Sequence, residues 1–149
     1  MSDLNQPYRG AFSDGEHRFA IRVYFEDTDA GGVVYHANYL RYMERARSDM
    51  LRAVGIDQQQ AIVEGVGVYV VAQVEIRYRA PARLEDAILV SSRIGEVRGS
   101  SAVIHQRVMR GDDVLTEAEV VVVLTREGRP VRQPREWVEA FERLKGESE

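Results

Sequence analysis

One apolar stripe with helical spacing, embedded in a chain that otherwise reads as strand, sets the main limit on what this sequence can fold into. Tyr39, Met43, Ala46 and Met50 recur at steps of four, three and four, and Leu40, Leu51 and Val54 widen the same face. Gly55 stands where a left-handed closing residue belongs, so the helix is expected to end near Val54. Upstream, residues 18–25 are rich in β-branched and aromatic side chains and predict a strand. Downstream, Ala72, Val74, Ile76 and Tyr78 alternate with Gln73, Glu75, Arg77 and Arg79, the period of a half-buried strand. Three further strands are expected over 87–97, 101–109 and 115–125, with Gly99 and Gly111-Asp112-Asp113 turning an antiparallel meander. A last helical segment over 134–144 places Trp137, Phe141 and Leu144 on one face. Strand, long helix, then a run of strands excludes a doubly wound parallel sheet and predicts an α+β fold, an antiparallel sheet on one main helix.

With 149 residues and 44% hydrophobic content the chain suits one core. A polar, unperiodic stretch over 1–17 is expected as a flexible amino-terminal arm, leaving 18–149 as a single domain. Residues 120–123 are apolar on both strand faces, and Val103 and Met109 oppose Ile104 and Val108 in parity. One long helix covers only one face, so a homo-oligomer is expected to supply the missing layer.

Several function classes drop out. Charges of both signs sum to −4, which gives no broad basic face for nucleic acid. Cysteine is absent, which removes thiolate nucleophiles and thiolate metal sites. The first residues lack a signal-peptide core and no apolar stretch is long enough to span a bilayer, so a cytoplasmic location is expected. There is no G-x-S-x-G elbow, H-E-x-x-H pair or phosphate-binding P-loop. Gly65-Val66-Gly67 lacks a third glycine and precedes a strand instead of following one. Of three histidines, His17 lies in the polar arm, His105 lies mid-strand, and only His36 neighbours carboxylates.

The chemistry therefore concentrates in EDTDAGGVVYHANY, residues 26–39. Asp27 and Asp29 share a face if the strand continues, the glycines permit positive φ and close approach, and a helix begins just beyond. The first amides of that helix have no internal acceptors and carry the positive end of its dipole. Two readings stay open on these grounds. Asp29 and the amides form a hydrolytic pair, carboxylate beside oxyanion donors, with no metal or cofactor required; or Asp29 only shapes a turn and complements the dipole. By propensity Asn38 is the expected cap, which leaves the His36 amide just outside the helix. Glu26 and Asp27 read as structural or solvated. Glu44 is a rival carboxylate, expected to be an exposed charge beside Arg45 and Arg47.

Arg22, Val23, Thr28, Asp29, Gly32, Val34 and Tyr35, followed by His36, Asn38 and Tyr39, resemble the signature of the 4-hydroxybenzoyl-CoA thioesterase family. The string EDTDAGGVVYHANYLRYMERAR is most similar to the acyl-CoA thioesterase branch associated with the Tol-Pal envelope system. The resemblance is close over 19–55, and the strand order is compatible to about residue 126. It implies a hotdog fold, in which a curved antiparallel sheet wraps a central helix, with active sites shared across a dimer and dimers often paired into a tetramer. It implies hydrolysis of an acyl-CoA or acyl carrier protein thioester without a cofactor. Asp29 is then the catalytic carboxylate, acting as base or nucleophile, and the His36 backbone amide polarises the thioester carbonyl. The same fold also serves non-catalytic modules that bind acyl groups or envelope and lipid-synthesis proteins, and dehydratases with a different His and acid layout.

Overall fold

The apolar stripe is helix α1, Asn38–Ala53, in a computed structural model that describes residues 2–148. Met1 and Glu149, the outer ends of the expected arm and domain, lie outside the described residues. The buried face of α1 carries Tyr39, Tyr42, Met43, Ala46, Met50 and Leu51. Gly55 ends the helix with φ of +91°, a conformation that costs glycine no Cβ clash.

Seven strands form one antiparallel sheet: β1 Ala11–Ser13, β2 Glu16–Arg22, β3 Val68–Tyr78, β4 Ala87–Val97, β5 Ser101–Arg110, β6 Asp113–Arg126 and β7 Arg129–Pro130. Their order is β1-β2-β4-β5-β6-β3, with β7 on β6. The expected meander is β4-β5-β6, and β3 pairs with β6 at the far edge. Register pairs such as Ser92↔Gln106 and Ile104↔Val120 set one parity inward, where Val90, Ile94, Ile104, Val108, Val120 and Leu124 are buried. The helix α1 packs on β2, β4 and β5. Helix α3, Arg135–Ser148, closes one end of the core with Phe141 and Leu144 and sets Trp137 against Tyr69. A curved sheet around one central helix is the hotdog architecture. Among the described residues, no helix is long and apolar enough to cross a membrane.

The amino-terminal expectation needs correction. From Ala11 the chain is already in the sheet, as the hairpin β1-β2, and β2 ends at Arg22 instead of running on to Phe25. Polar composition misleads here because the polar groups are buried in pairs. Glu16 takes Arg18 at 2.7 Å and Arg93 at 2.8 Å. His17 is fully buried on the inner face, where its Nε2–H donates to Asp49 of α1 at 2.8 Å. The Gly10 N–H donates to the same carboxylate oxygen at 2.9 Å. A short helix, α2, Gln58–Val63, was not expected either; Asp57 caps it by accepting from the Gln60 N–H.

His17 fastens the hairpin to the helix, and Phe12 and Phe19 flank its ring. Burial pushes its pKa down, and the Asp49 carboxylate only partly opposes that shift. The unfolded chain therefore takes up a proton more readily than the fold does. The contribution is complete above the ordinary histidine value of about 6.5 and is lost as pH falls below it. Urea unfolding between pH 7.5 and 5.5 is expected to show wild-type stability declining on acidification, with a flatter profile in His17→Gln; equal slopes would contradict this role.

Candidate active site

Between β2 and α1 the chain makes a short 3-10 turn, Phe25–Asp27, and then a narrow loop that returns to the helix start. Asp27 organises both parts. Its carboxylate accepts from the Tyr24 N–H at 2.8 Å, and its carbonyl oxygen accepts from the Tyr35 N–H at 3.0 Å and from Asn38 Nδ2 at 2.8 Å. A single backbone oxygen thus ties the 3-10 turn to the first residue of α1.

Inside the clamp, Thr28 bridges Val34, the Asp29 N–H donates to Val33 O at 2.8 Å, and the Gly32 N–H donates to Asp29 O at 3.1 Å. Gly32 has φ of +78°, a turn position that suits glycine. The β3–β4 connection braces the outside of this loop. Val34 N–H donates to Ala82 O at 2.8 Å, Val33 bridges Arg83, and the Ala82 N–H donates to the buried Tyr39 hydroxyl at 3.0 Å.

Asp29 sits at the turn, exposed, with Oδ1 accepting from the Gly31 N–H at 2.8 Å. That contact fixes the carboxylate by one oxygen and leaves the other without a hydrogen bond among the described residues. His36, also exposed, stands two residues before α1 begins. The flanking amides are engaged, Tyr35 with Asp27 O and Asn38 with Tyr35 O, whereas those of His36 and Ala37 have no acceptor among the described residues. Tyr78, near the end of β3, donates its hydroxyl to His36 O at 3.1 Å and meets the imidazole edge-on. This contact fixes the His36–Ala37 peptide, whose N–H is one of the two free amides.

The structure thus brings Asp29 and His36 onto one braced loop at the positive end of α1. It does not make Asn38 the helix cap. Ala37 holds that position without a side-chain cap bond, while the Asn38 amide reaches back to Asp27. Glu26 is exposed, and Asp27 is structural. Glu44 is exposed along the flank of α1 and accepts from Ser48 Oγ at 3.2 Å. Arg47, three residues further along the helix, is buried. His105 lies on the outer sheet face in register with Arg93 and Glu119, remote in sequence and face from the loop. Among the described residues, no group of three His, Asp or Glu side chains converges to hold a metal ion. Sequence reasoning missed Tyr78 and Arg47, because neither departs from its local pattern.

This loop, set on a hotdog scaffold, is that of a thioesterase-like protein. Residues 23–141 match the thioesterase-like superfamily, and the chain belongs to that family. The acyl-CoA thioesterase YbgC of Haemophilus influenzae is 42% identical over 134 residues, 89% of this chain and 98% of that protein. The acyl-CoA thioester hydrolase YbgC of Escherichia coli is 48% identical over 107 residues, 71% of this chain and 79% of that protein. The crystal structure of a probable thioesterase from Bartonella henselae is 36% identical, with a TM-score of 0.76, over 80% of this chain and 99% of that chain.

Proposed function

We propose that this protein hydrolyses acyl-CoA thioesters in the cytoplasm, using Asp29 and the amide of His36 and no metal. The observation that carries the reading is a half-engaged carboxylate on the same braced loop as two free amides at a helix start. The His36 N–H holds the thioester oxygen as it gains negative charge. Asp29 takes a proton from water, the water oxygen bonds to the carbonyl carbon, and the carbon–sulfur bond breaks. The proton passes to the departing sulfur, giving a free acid and CoA. Direct attack by Asp29, followed by hydrolysis of the resulting anhydride, gives the same products.

Both groups are exposed in the single chain, and the exposure has a local cause. The edge strand β3 leaves Val68 41%, Val70 43%, Val71 46%, Val74 36% and Tyr78 47% exposed. A long apolar edge of this kind demands cover. A second copy laid along β3 supplies it and closes the loop through Tyr78, so the working unit is a dimer, with pairing of dimers into a tetramer open to the outer sheet face. On dilution, specific activity is expected to fall in step with the dimer fraction measured by sedimentation. Constant activity in the monomeric range would refute the shared site.

Asp29→Asn is expected to lower kcat by about a hundredfold to ten-thousandfold across an acyl-CoA panel, with the unfolding temperature unchanged. Wild-type hydrolysis by the variant would exclude the role given to Asp29. If the wild-type protein bound acyl-CoA and released no acid, a binding module would replace the enzyme. Hydrolysis confined to carrier-bound acyl groups would move the substrate to acyl carrier protein.

A further inference from the structure

Arg47 is only 9% exposed, yet no carboxylate lies within ion-pair distance of it among the described residues. Its one hydrogen bond runs from Nη1 to Gln106 Oε1 at 2.9 Å. Gln106 is itself locked, because its Nε2 donates to Met43 O at 3.0 Å and to Ser92 Oγ at 2.9 Å. The guanidinium is therefore aimed by the core and neutralised by nothing in it. A guanidinium carries five N–H donors. None of those left over is a buried orphan, since the described orphans are His17 Nδ1, Tyr42 Oη and Thr116 Oγ1. They reach solvent through a crevice of about 100 Å³ between α1 and β3, which Arg47 lines with Glu44, Ser48, Leu51, Val70 and Phe141. Burying a charge without a counter-ion is unfavourable, and burial does depress the affinity of Arg47 for its proton. Glu44 eases this only at a distance, being exposed and turned to Ser48.

The crevice lies on the flank of α1 that begins at the candidate active site. Ala37, Leu40, Glu44, Arg47 and Leu51 follow one another at steps of three, four, three and four, with Ser48 four residues beyond Glu44. Along the opposite wall β3 runs from Val70 to Tyr78, which touches His36. We propose that this flank receives the acyl chain and that Arg47 binds a carboxylate at its far end, which makes dicarboxylyl thioesters the preferred substrates. The inference rests on the thioesterase reading above. Arg47 lies nine residues beyond Asn38, about 14 Å along the axis at helical rise, and its side chain leans back toward the helix start. At about 1.25 Å per carbon from ordinary bond lengths and angles, the distance suits diacids of about six to ten carbons. The crevice has room on the order of three water molecules, enough for a carboxylate and its neighbouring methylene.

The experiment compares kcat/KM for adipyl-CoA with hexanoyl-CoA, and suberyl-CoA with octanoyl-CoA, in the wild-type protein and in Arg47→Met. Calorimetric titration with free adipate accompanies it. Wild type is expected to favour each diacid at least tenfold, Arg47→Met to lose that preference at least tenfold, and adipate to bind wild type only. Equal rates for the diacid and its monoacid, a preference unchanged in Arg47→Met, or equal use of 6-hydroxyhexanoyl-CoA and adipyl-CoA would each overturn the proposal. If Arg47→Met fails to fold, the wild-type ratios and adipate binding still decide. Should no thioester be hydrolysed, the thioesterase reading fails, while adipate binding still tests Arg47; absence of binding then means that a partner carboxylate or the core alone satisfies it.

Discussion

The carbonyl oxygen of Asp27 holds the candidate site together. By accepting from the Tyr35 N–H and from Asn38 Nδ2 it fastens the 3-10 turn that follows β2 to the start of the central helix. Everything between those anchors is then short enough to be rigid, and that is what leaves Asp29 at a turn with one oxygen fixed and one open. A carboxylate at a loose loop tip sweeps through solvent. The Gly31 amide holds Oδ1, and residues 82–84 brace the rest of the loop at Gly32, Val33 and Val34.

The helix contributes its electropositive end, and the sheet decides which of its flanks stays open. Because α1 packs on β2, β4 and β5, much of the edge strand β3 stays exposed, and that strand carries Tyr78 to the His36 carbonyl. The proposed dimer, active site and acyl path therefore share one origin, the gap left beside α1. At the other end of the molecule, polar groups are used for fastening. His17, Asp49, Glu16 and Arg93 pin the amino-terminal hairpin where an apolar strand would have sufficed, and this makes that attachment sensitive to protons.

Much of the fold was legible from periodicity alone. The stripe from Tyr39 to Met50 is α1, Gly55 ends it, and the three central strands fall where alternation and turn residues put them. The hairpin β1-β2 was not legible, because Glu16 and His17 look like surface residues until partners 77 and 32 positions away are known. Helix α2 escaped because Gln58, Gln59 and Gln60 give a six-residue segment no apolar stripe. Within the site, Asp29 and His36 came from a motif, since local physics alone favoured a structural acid at a turn. Arg47 sits in a run of charges that reads as a solvated helix face, and only the tertiary packing of Gln106 against it turns it inward. Tyr78 is one more aromatic in an alternating strand; its hydroxyl gains meaning only when the loop folds against it.

A crystal structure with a non-hydrolysable acyl-CoA analogue tests the central claim most directly. The account predicts the thioester oxygen about 2.7–3.1 Å from the His36 N–H, with the free oxygen of Asp29 facing the carbonyl carbon. An analogue seated away from that loop, with Asp29 still turned to bulk solvent, would contradict it.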